Sequence, residues 1–227
     1  MKFKYLTLIA FLCFGLVIWI NFIDFKLPEI IPGKGIKFEI LIEGFSKAFI
    51  ASYIFYTVNI YLREKREKKF ILPLIANNVM LLIVNNHSII NCLKNDSKLS
   101  LDYFPTKDEF NDLLRLVNPR SNSPLYYKDK SWTFLFQNRQ KSTLSGISKI
   151  FASGKHLDEE LRTILLQMQS SLYLQDNYAF NSDAFEEKNL SKYYVVFFTY
   201  FELVKRLKSY YDKNLKTFYE TYRQKVA

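Results

Sequence analysis

Turn-forming and metal-binding side chains are scarce in this sequence. Its 227 residues include six glycines, six prolines, two cysteines and two histidines. So few glycines and prolines favour helices over a β architecture. Cys13 lies in an apolar run and Cys92 in an apolar helical segment, so they cannot form a disulfide framework, which fits a reducing compartment. His87 and His156 fall on different elements. His156 stands close to Asp158, Glu159 and Glu160, but acids opening a helix explain that cluster better than a metal site. No glycine-rich phosphate loop follows a strand, and a serine hydrolase elbow and paired cysteine ligands are equally missing. Lys141-Ser-Thr-Leu-Ser-Gly146 lacks the order of a phosphate loop and reads as a helical serine/threonine face. The reading is a non-enzyme with no cofactor.

Charge is missing altogether from Tyr5–Ile23, whose 19 residues rise about 1.5 Å each and approach the roughly 30 Å hydrocarbon core of a bilayer. A second apolar segment, Ile40–Leu62, carries Glu43 and Lys47 near its start. Between them, Asp24–Glu39 holds Pro28, Pro32, Gly33 and Gly35, which break helix and make a short connection. No small-x-small cleavage site follows the first segment, and Phe11 and Leu12 before Cys13 do not suit a lipoprotein signal, so the segment reads as a retained anchor. Lys2 and Lys4 flank one end of the pair, and Arg63, Lys65, Arg66, Lys68 and Lys69 flank the other. Against Lys26, Lys34 and Lys37 in the loop, this asymmetry predicts that both termini are cytoplasmic.

The formal net charge is +10. Residues 1–62 hold 6 Lys/Arg against 4 Asp/Glu, leaving 26 against 18 beyond them. A basic body of that kind gains from anionic lipid headgroups, and the same field attracts nucleic acid. Its hydrophobic period is helical. Phe70–Leu93 places Ile71, Leu74, Ile75, Val79, Leu82, Ile83 and Ile89 mostly three and four apart, with Pro73 as a helix start or kink. Thr106-Lys-Asp-Glu109 is a capping box before Phe110, Leu113, Leu114 and Leu116. Asn118–Lys130 reads as a connection, Ser131–Ala152 as a helix stopping at Gly154, and Leu157–Leu174 as a helix opened by acids. Gln175–Asp183 is polar, and one last long helix is expected over Ser191–Arg223. The fold class is therefore all-α: a two-helix transmembrane hairpin with a basic juxtamembrane segment over 1–69, then a cytoplasmic helical domain over 70–227.

Two patterns carry the functional reading. Glu39, Glu43 and Lys47 stand at i, i+4 and i+8 on one face of the second span, where ionisable groups are costly and usually meet a partner or water. Three readings compete for this face: an interfacial one with Lys47 snorkelling outward, an aqueous face in an oligomer, and plain packing against the first span. Glu43 and Lys47 are also placed to pair with each other. Beside them Gly44, Ala48 and Ser52 repeat the spacing that lets helices approach closely and so suits self-association. In the last helix an aromatic run from Tyr193 to Phe201 passes into Lys205, Arg206 and Lys208, with Tyr210 and Tyr211 following. Core packing is the default for the aromatics. The basic residues, with those of Arg63–Lys69, are candidates for contact with lipid, nucleic acid or a protein partner.

The stretch Gly44-Phe-Ser-Lys-Ala-Phe-Ile-Ala-Ser-Tyr-Ile-Phe-Tyr56, continued through Asn59 and Tyr61 into Arg63–Lys69, resembles the membrane hairpins of small bacterial proteins with helical cytoplasmic domains. In size, in its two leading spans and in its basic helical body the chain is similar to the two-transmembrane effector of bacterial retron anti-phage defence systems. That resemblance implies an effector kept silent by a reverse transcriptase with its RNA-linked single-stranded DNA, whose release damages the inner membrane and kills the infected cell. It covers the layout of the chain and has no catalytic signature from which residue roles transfer. The leading expectation is a membrane-disrupting defence effector with membrane lipids, further copies of itself and a regulatory nucleoprotein as partners. The alternative is a non-toxic anchor or scaffold that recruits a soluble partner.

Overall fold

The computed structural model describes residues 3–22, 35–126, 130–175 and 188–226, without the side chains of 221, 222, 225 and 226. Most of the expected interspan connection and of Gln175–Asp183 lies outside the described residues, as do Lys2, Lys26, Lys34 and part of Asn118–Lys130. Eight α-helices are described: α1 Phe3–Phe22, α2 Gly35–Tyr56, α3 Leu62–Lys94, α4 Lys107–Arg115, α5 Trp132–Phe151, α6 Glu159–Gln169, α7 Tyr194–Asn214 and α8 Lys216–Val226. Among the described residues there is no strand, and the single β-bridge pairs Asn122 with Ser131. The fold is all-α. The chain divides into two compact units, Met1–Lys68 and Lys69–Ala227.

In the first unit α1 packs against α2. By length and mean hydropathy both α1 and the continuous helix Gly35–Lys94, which α2 opens, could cross a membrane, although the most apolar window of the second is 39% buried. Only 6% of the apolar window in α1 is buried, so α1 is not the core helix of a water-soluble bundle. Phe11, Leu12, Phe14 and Phe22 point outward from it, as do Ile40, Phe45, Ile54 and Phe55 from α2. A surface this apolar calls for a covering other than water.

The expected boundary after Leu62 is not a helix end. A π-helical turn at Thr57–Tyr61 joins α2 to α3, and the basic run Arg63–Lys69 forms the opening turns of α3. Pro73 neither starts nor ends a helix: α3 runs through it, although the ring removes one donor from the ladder. The end of α3 is a hydrogen-bonded stop. Asn95 adopts φ 53°, its N–H donates to the Cys92 carbonyl at 3.1 Å, and the Asp96 N–H donates to the Asn91 carbonyl at 2.9 Å. That paired arrangement satisfies carbonyls the helix would otherwise leave bare, and Asn tolerates the left-handed conformation it requires.

Side-chain caps start the next three helices. Thr106 accepts from the Glu109 N–H, Ser131 from the Phe134 N–H and Asp158 from the Leu161 N–H. The last long helix is broken, contrary to the single helix expected over Ser191–Arg223. A short 3-10 turn at Ser191–Tyr193 precedes α7, and Leu215 (φ −118°) separates α7 from α8. Leu215 is 3% exposed, so its own burial in the core accompanies the change of direction. The second acidic-capped helix also ends early, at Gln169 rather than Leu174.

The core of the second unit gathers α3 to α7. Phe197, Tyr200, Phe201, Val204, Leu207, Tyr210 and Tyr211 are all buried on α7, at the three- and four-residue spacing of one helix face. Tyr200 and Phe197 pack on Tyr173, with ring centroids 4.4 and 5.2 Å apart. The aromatic run is core, as the default reading has it. Inside this core sits a polar centre. Asn86 on α3 donates to the Leu82 carbonyl at 2.8 Å and to Thr143 Oγ1 on α5 at 3.2 Å, while Tyr200 on α7 donates its hydroxyl to Asn86 Oδ1 at 2.9 Å. Close by in sequence, His87 is fully buried, with Nε2 3.0 Å from the Tyr103 carbonyl and its ring edge-on to Phe104. Burial pushes its pKa below the ordinary histidine value, against hydrogen bonding to Tyr103, Asn91 and Ser100 and the charge of Asp102, which act the other way.

Tyr200→Phe keeps the ring and removes only the donor to Asn86, so it should cost about 1–3 kcal/mol of stability with the helical content unchanged, measured by chemical denaturation followed by circular dichroism. His87 predicts an acid sensitivity of definite sign. Its folded pKa lies below its unfolded one, so its stabilisation is full above about pH 6.5 and is lost as pH falls through the folded value. Asp102 and Glu109, held low chiefly by hydrogen bonds from Lys208 and Lys94, act in the same sense only below about pH 4. Denaturation midpoints measured between these limits should fall in the native chain and level off in His87→Gln; equal slopes would remove His87 as the cause.

Candidate functional site

The hairpin is tied by polar contacts toward both ends. At one end Thr7, whose hydroxyl donates to the Phe3 carbonyl, takes a hydrogen bond from Tyr53 at 3.0 Å. Phe3 stacks on Tyr61 with ring centroids 3.8 Å apart. At the other end Asn21 Nδ2 donates to the Val17 carbonyl and to Glu43 Oε1, each at 2.9 Å, and Lys47 Nζ lies 2.6 Å from the same Glu43 oxygen. Among apolar surroundings such contacts contribute about 0.6–2 kcal/mol each, and they also set which residues of the two helices face one another.

The structure therefore brings Glu43 and Lys47 together within one helix and adds Asn21, which the sequence reading missed. Its signal was an amide at the end of an otherwise apolar run. Glu39 lies one turn ahead on the same face and is half-buried. Gly44, Ala48 and Ser52 are exposed, and a Cβ built on Gly44 meets nothing within 4 Å. This ridge is not the seam between α1 and α2; the buried small residues of the hairpin are Ala10 and Ser46.

The basic candidates differ sharply in their surroundings. Arg63 pairs with Glu67 at 2.9 Å, whereas Lys65, Arg66, Lys68 and Lys69 are exposed on the opening turns of α3. On α7, Lys205 approaches Glu202 only to 3.9 Å, and Arg206 Nη1 donates to Gln167 Oε1 at 2.9 Å. Lys208 is 12% exposed and bridges Asp102 at 2.6 Å and Asp212 at 2.5 Å. Burial pulls its ammonium down, but the two carboxylates outweigh it and hold its pKa above the ordinary lysine value. Lys208 is thus a structural clasp between α7 and the segment before α4. Tyr210 and Tyr211, expected beside the basic run, are core residues; the Tyr210 hydroxyl donates to Asp158, the cap of α6.

Cys92 is buried with its thiol directed at the Leu125 carbonyl at 3.8 Å, and burial pushes its pKa up to about 11, which makes it inert rather than reactive. One surface of the second unit was dismissed at the sequence level and is assembled by the fold. Lys141, Ser142, Ser145, Gly146 and Lys149 from α5 line a groove of about 410 Å³ with Asn78, Leu81, Leu82 and Asn85 from α3. No protein family, curated protein or solved structure matches this chain.

Because the Glu43–Lys47 pair closes within α2, replacing both by leucine should leave insertion and the α1–α2 hairpin nearly unchanged. Glu43→Leu alone should be worse than the double change, because it leaves Lys47 without its carboxylate partner among apolar neighbours. Gly44→Leu should likewise leave the hairpin intact. Cysteine cross-linking between α1 and α2 in membranes checks all three.

Proposed function

We propose that this chain is a two-span effector of the bacterial inner membrane, active in abortive anti-phage defence. In this reading a cytoplasmic reverse transcriptase–nucleic acid complex holds it silent, and release lets it disrupt the membrane. The observation that carries the proposal is the division of labour on α2. One face is closed against α1 through Glu43 and Asn21, while Gly44, Ala48 and Ser52 face outward with open space over Gly44. An anchor needs only one span; a hairpin tied at both ends with a close-approach ridge turned away from its own partner helix suits assembly with further copies. The layout shared with the retron effectors supports the same reading. Basic residues at Lys4 and Arg63–Lys69 support a sidedness with both ends cytoplasmic. The helical unit then carries the contact with the restraining complex, through exposed charges such as Lys205 rather than through Lys208.

The second reading, a harmless anchor for a soluble partner, is favoured by one observation. The only acid–base pair described in the spans is satisfied within the hairpin, which leaves Glu43 and Lys47 little to offer a water-filled path. The two readings separate on low-level expression of the full chain, alone and with its neighbouring genes. The effector reading expects loss of membrane potential and of viability, relieved by a neighbour, and expects Gly44→Leu to reach the membrane at the native level yet lose depolarisation. Harmless accumulation at the native level supports the anchor. Reporter fusions after Lys69 and within 32–35 test sidedness, and a cytoplasmic signal from the loop overturns it.

A further inference from the structure

The groove between α3 and α5 has a composition that selects a ligand. At its floor the helices touch closely: a Cβ on Gly146 would stand 2.5 Å from Leu82 Cδ2, so only glycine allows this approach without displacing a leucine that is 2% exposed. Above that contact the side chains lining the groove are donors or apolar, and none is a carboxylate. Lys141 and Lys149 are exposed and make no ion pair among the described residues. Ser142 and Ser145 lie between them on α5, with Asn78 and Asn85 opposite on α3. Arg139 Nη1 donates to Asn85 Oδ1 at 3.1 Å, which fixes the amide's orientation and leaves Nδ2 as a donor.

Two ammonium groups, two hydroxyls and two amides with no acid among them describe an anion site. The spacing narrows the class. Lys141 and Lys149 are eight residues apart, about 12 Å along the helix axis, so they do not both close readily on one phosphate and instead suit an extended polyanion lying along α5. No aromatic side chain lines the groove, so it offers no stacking platform of the kind a nucleic-acid strand uses. Its volume lies within the range of small-molecule sites, roughly 300–1,000 Å³. Leu81, half-exposed, supplies an apolar surface for whatever the phosphates are attached to.

We infer that the α3–α5 groove binds a small ligand carrying two or more linked phosphates, of the nucleoside triphosphate or inorganic polyphosphate class. Lys141 and Lys149 hold the two ends of the phosphate chain, and Ser142, Ser145, Asn78 and Asn85 donate to its middle. This site is independent of what the hairpin does in the membrane. The test is calorimetric titration of the full-length chain in detergent with sodium tripolyphosphate, ATP, orthophosphate and oligothymidylate. Tripolyphosphate or ATP should bind at least about tenfold tighter than orthophosphate, and whichever is tighter names the source. Lys141→Gln and Lys149→Gln should each lose about tenfold, the worth of one charge-assisted hydrogen bond, with helical content unchanged. Lys98→Gln, an exposed lysine outside the groove, should lose nothing. Absence of binding at millimolar tripolyphosphate and ATP overturns the inference. So does equal loss in Lys98→Gln, or equal affinity for orthophosphate. Displacement of tripolyphosphate by a lower concentration of oligothymidylate also overturns it, in favour of a strand-binding groove.

Discussion

The helical unit depends on one buried amide. Asn86 is fully enclosed, and an enclosed amide without partners costs more than a hydrogen bond returns, so its neighbours have to supply a donor for its oxygen and acceptors for its nitrogen. They come from three places: the Leu82 carbonyl within α3, Thr143 on α5 and Tyr200 on α7. Apolar contacts tolerate sliding by a fraction of a turn. A hydrogen bond of 2.9 Å does not. Satisfying Asn86 therefore sets the register of α5 and α7 on α3, and the rest follows from that register. The Gly146 contact with Leu82 lies one turn beyond Thr143, and the Tyr173, Phe197 and Tyr200 rings gather beside it.

The same logic governs the hairpin. Between two helices that are apolar all round, apolar contact alone gives little preference for one register. Polar contacts do the selecting. Thr7 with Tyr53 and Asn21 with Glu43 pair early residues of α1 with late residues of α2 and the reverse, which defines an antiparallel pair. Lys47 then completes Glu43 rather than seeking water elsewhere. Charges that look like the lining of a path when read as a stripe become, once paired, part of the closure of one helix on another.

Much of this was legible without coordinates, for local reasons. The apolar hairpin helices follow from composition, the cap at Thr106 from its capping-box spacing, the helix starts near Ser131 and Asp158 from polar residues set before an apolar period, and the aromatic core face of α7 from its spacing. What was not legible depends on contacts between distant residues. Pro73 does not start α3 but lies buried within it, and the run from α2 into α3 carries through a π turn. The break at Leu215 has no glycine or proline to announce it and accompanies the burial of one leucine. The Asn21–Glu43 bond joins residues 22 apart, and the lining of the α3–α5 groove joins residues up to 71 apart. Periodicity cannot report such pairs.

Net charge misleads for the same reason. A balance of +10 suggests a uniformly basic surface, yet the positive groups divide into two kinds. Lys208, Lys94 and Arg63 are spent on carboxylates of the chain itself, and Arg206 on Gln167. Paired in this way, they contribute to folding and little to the field outside. Others stay exposed, among them Lys65, Arg66, Lys68 and Lys69 on the opening turns of α3, and Lys141 and Lys149 over a groove lined by no acid. An anionic partner senses the second kind alone. The field outside therefore depends on where acidic residues are missing as much as on where basic ones occur: the groove face of α5 is lined by no acid, whereas the opening of α3 carries Glu64 and Glu67 among its basic residues.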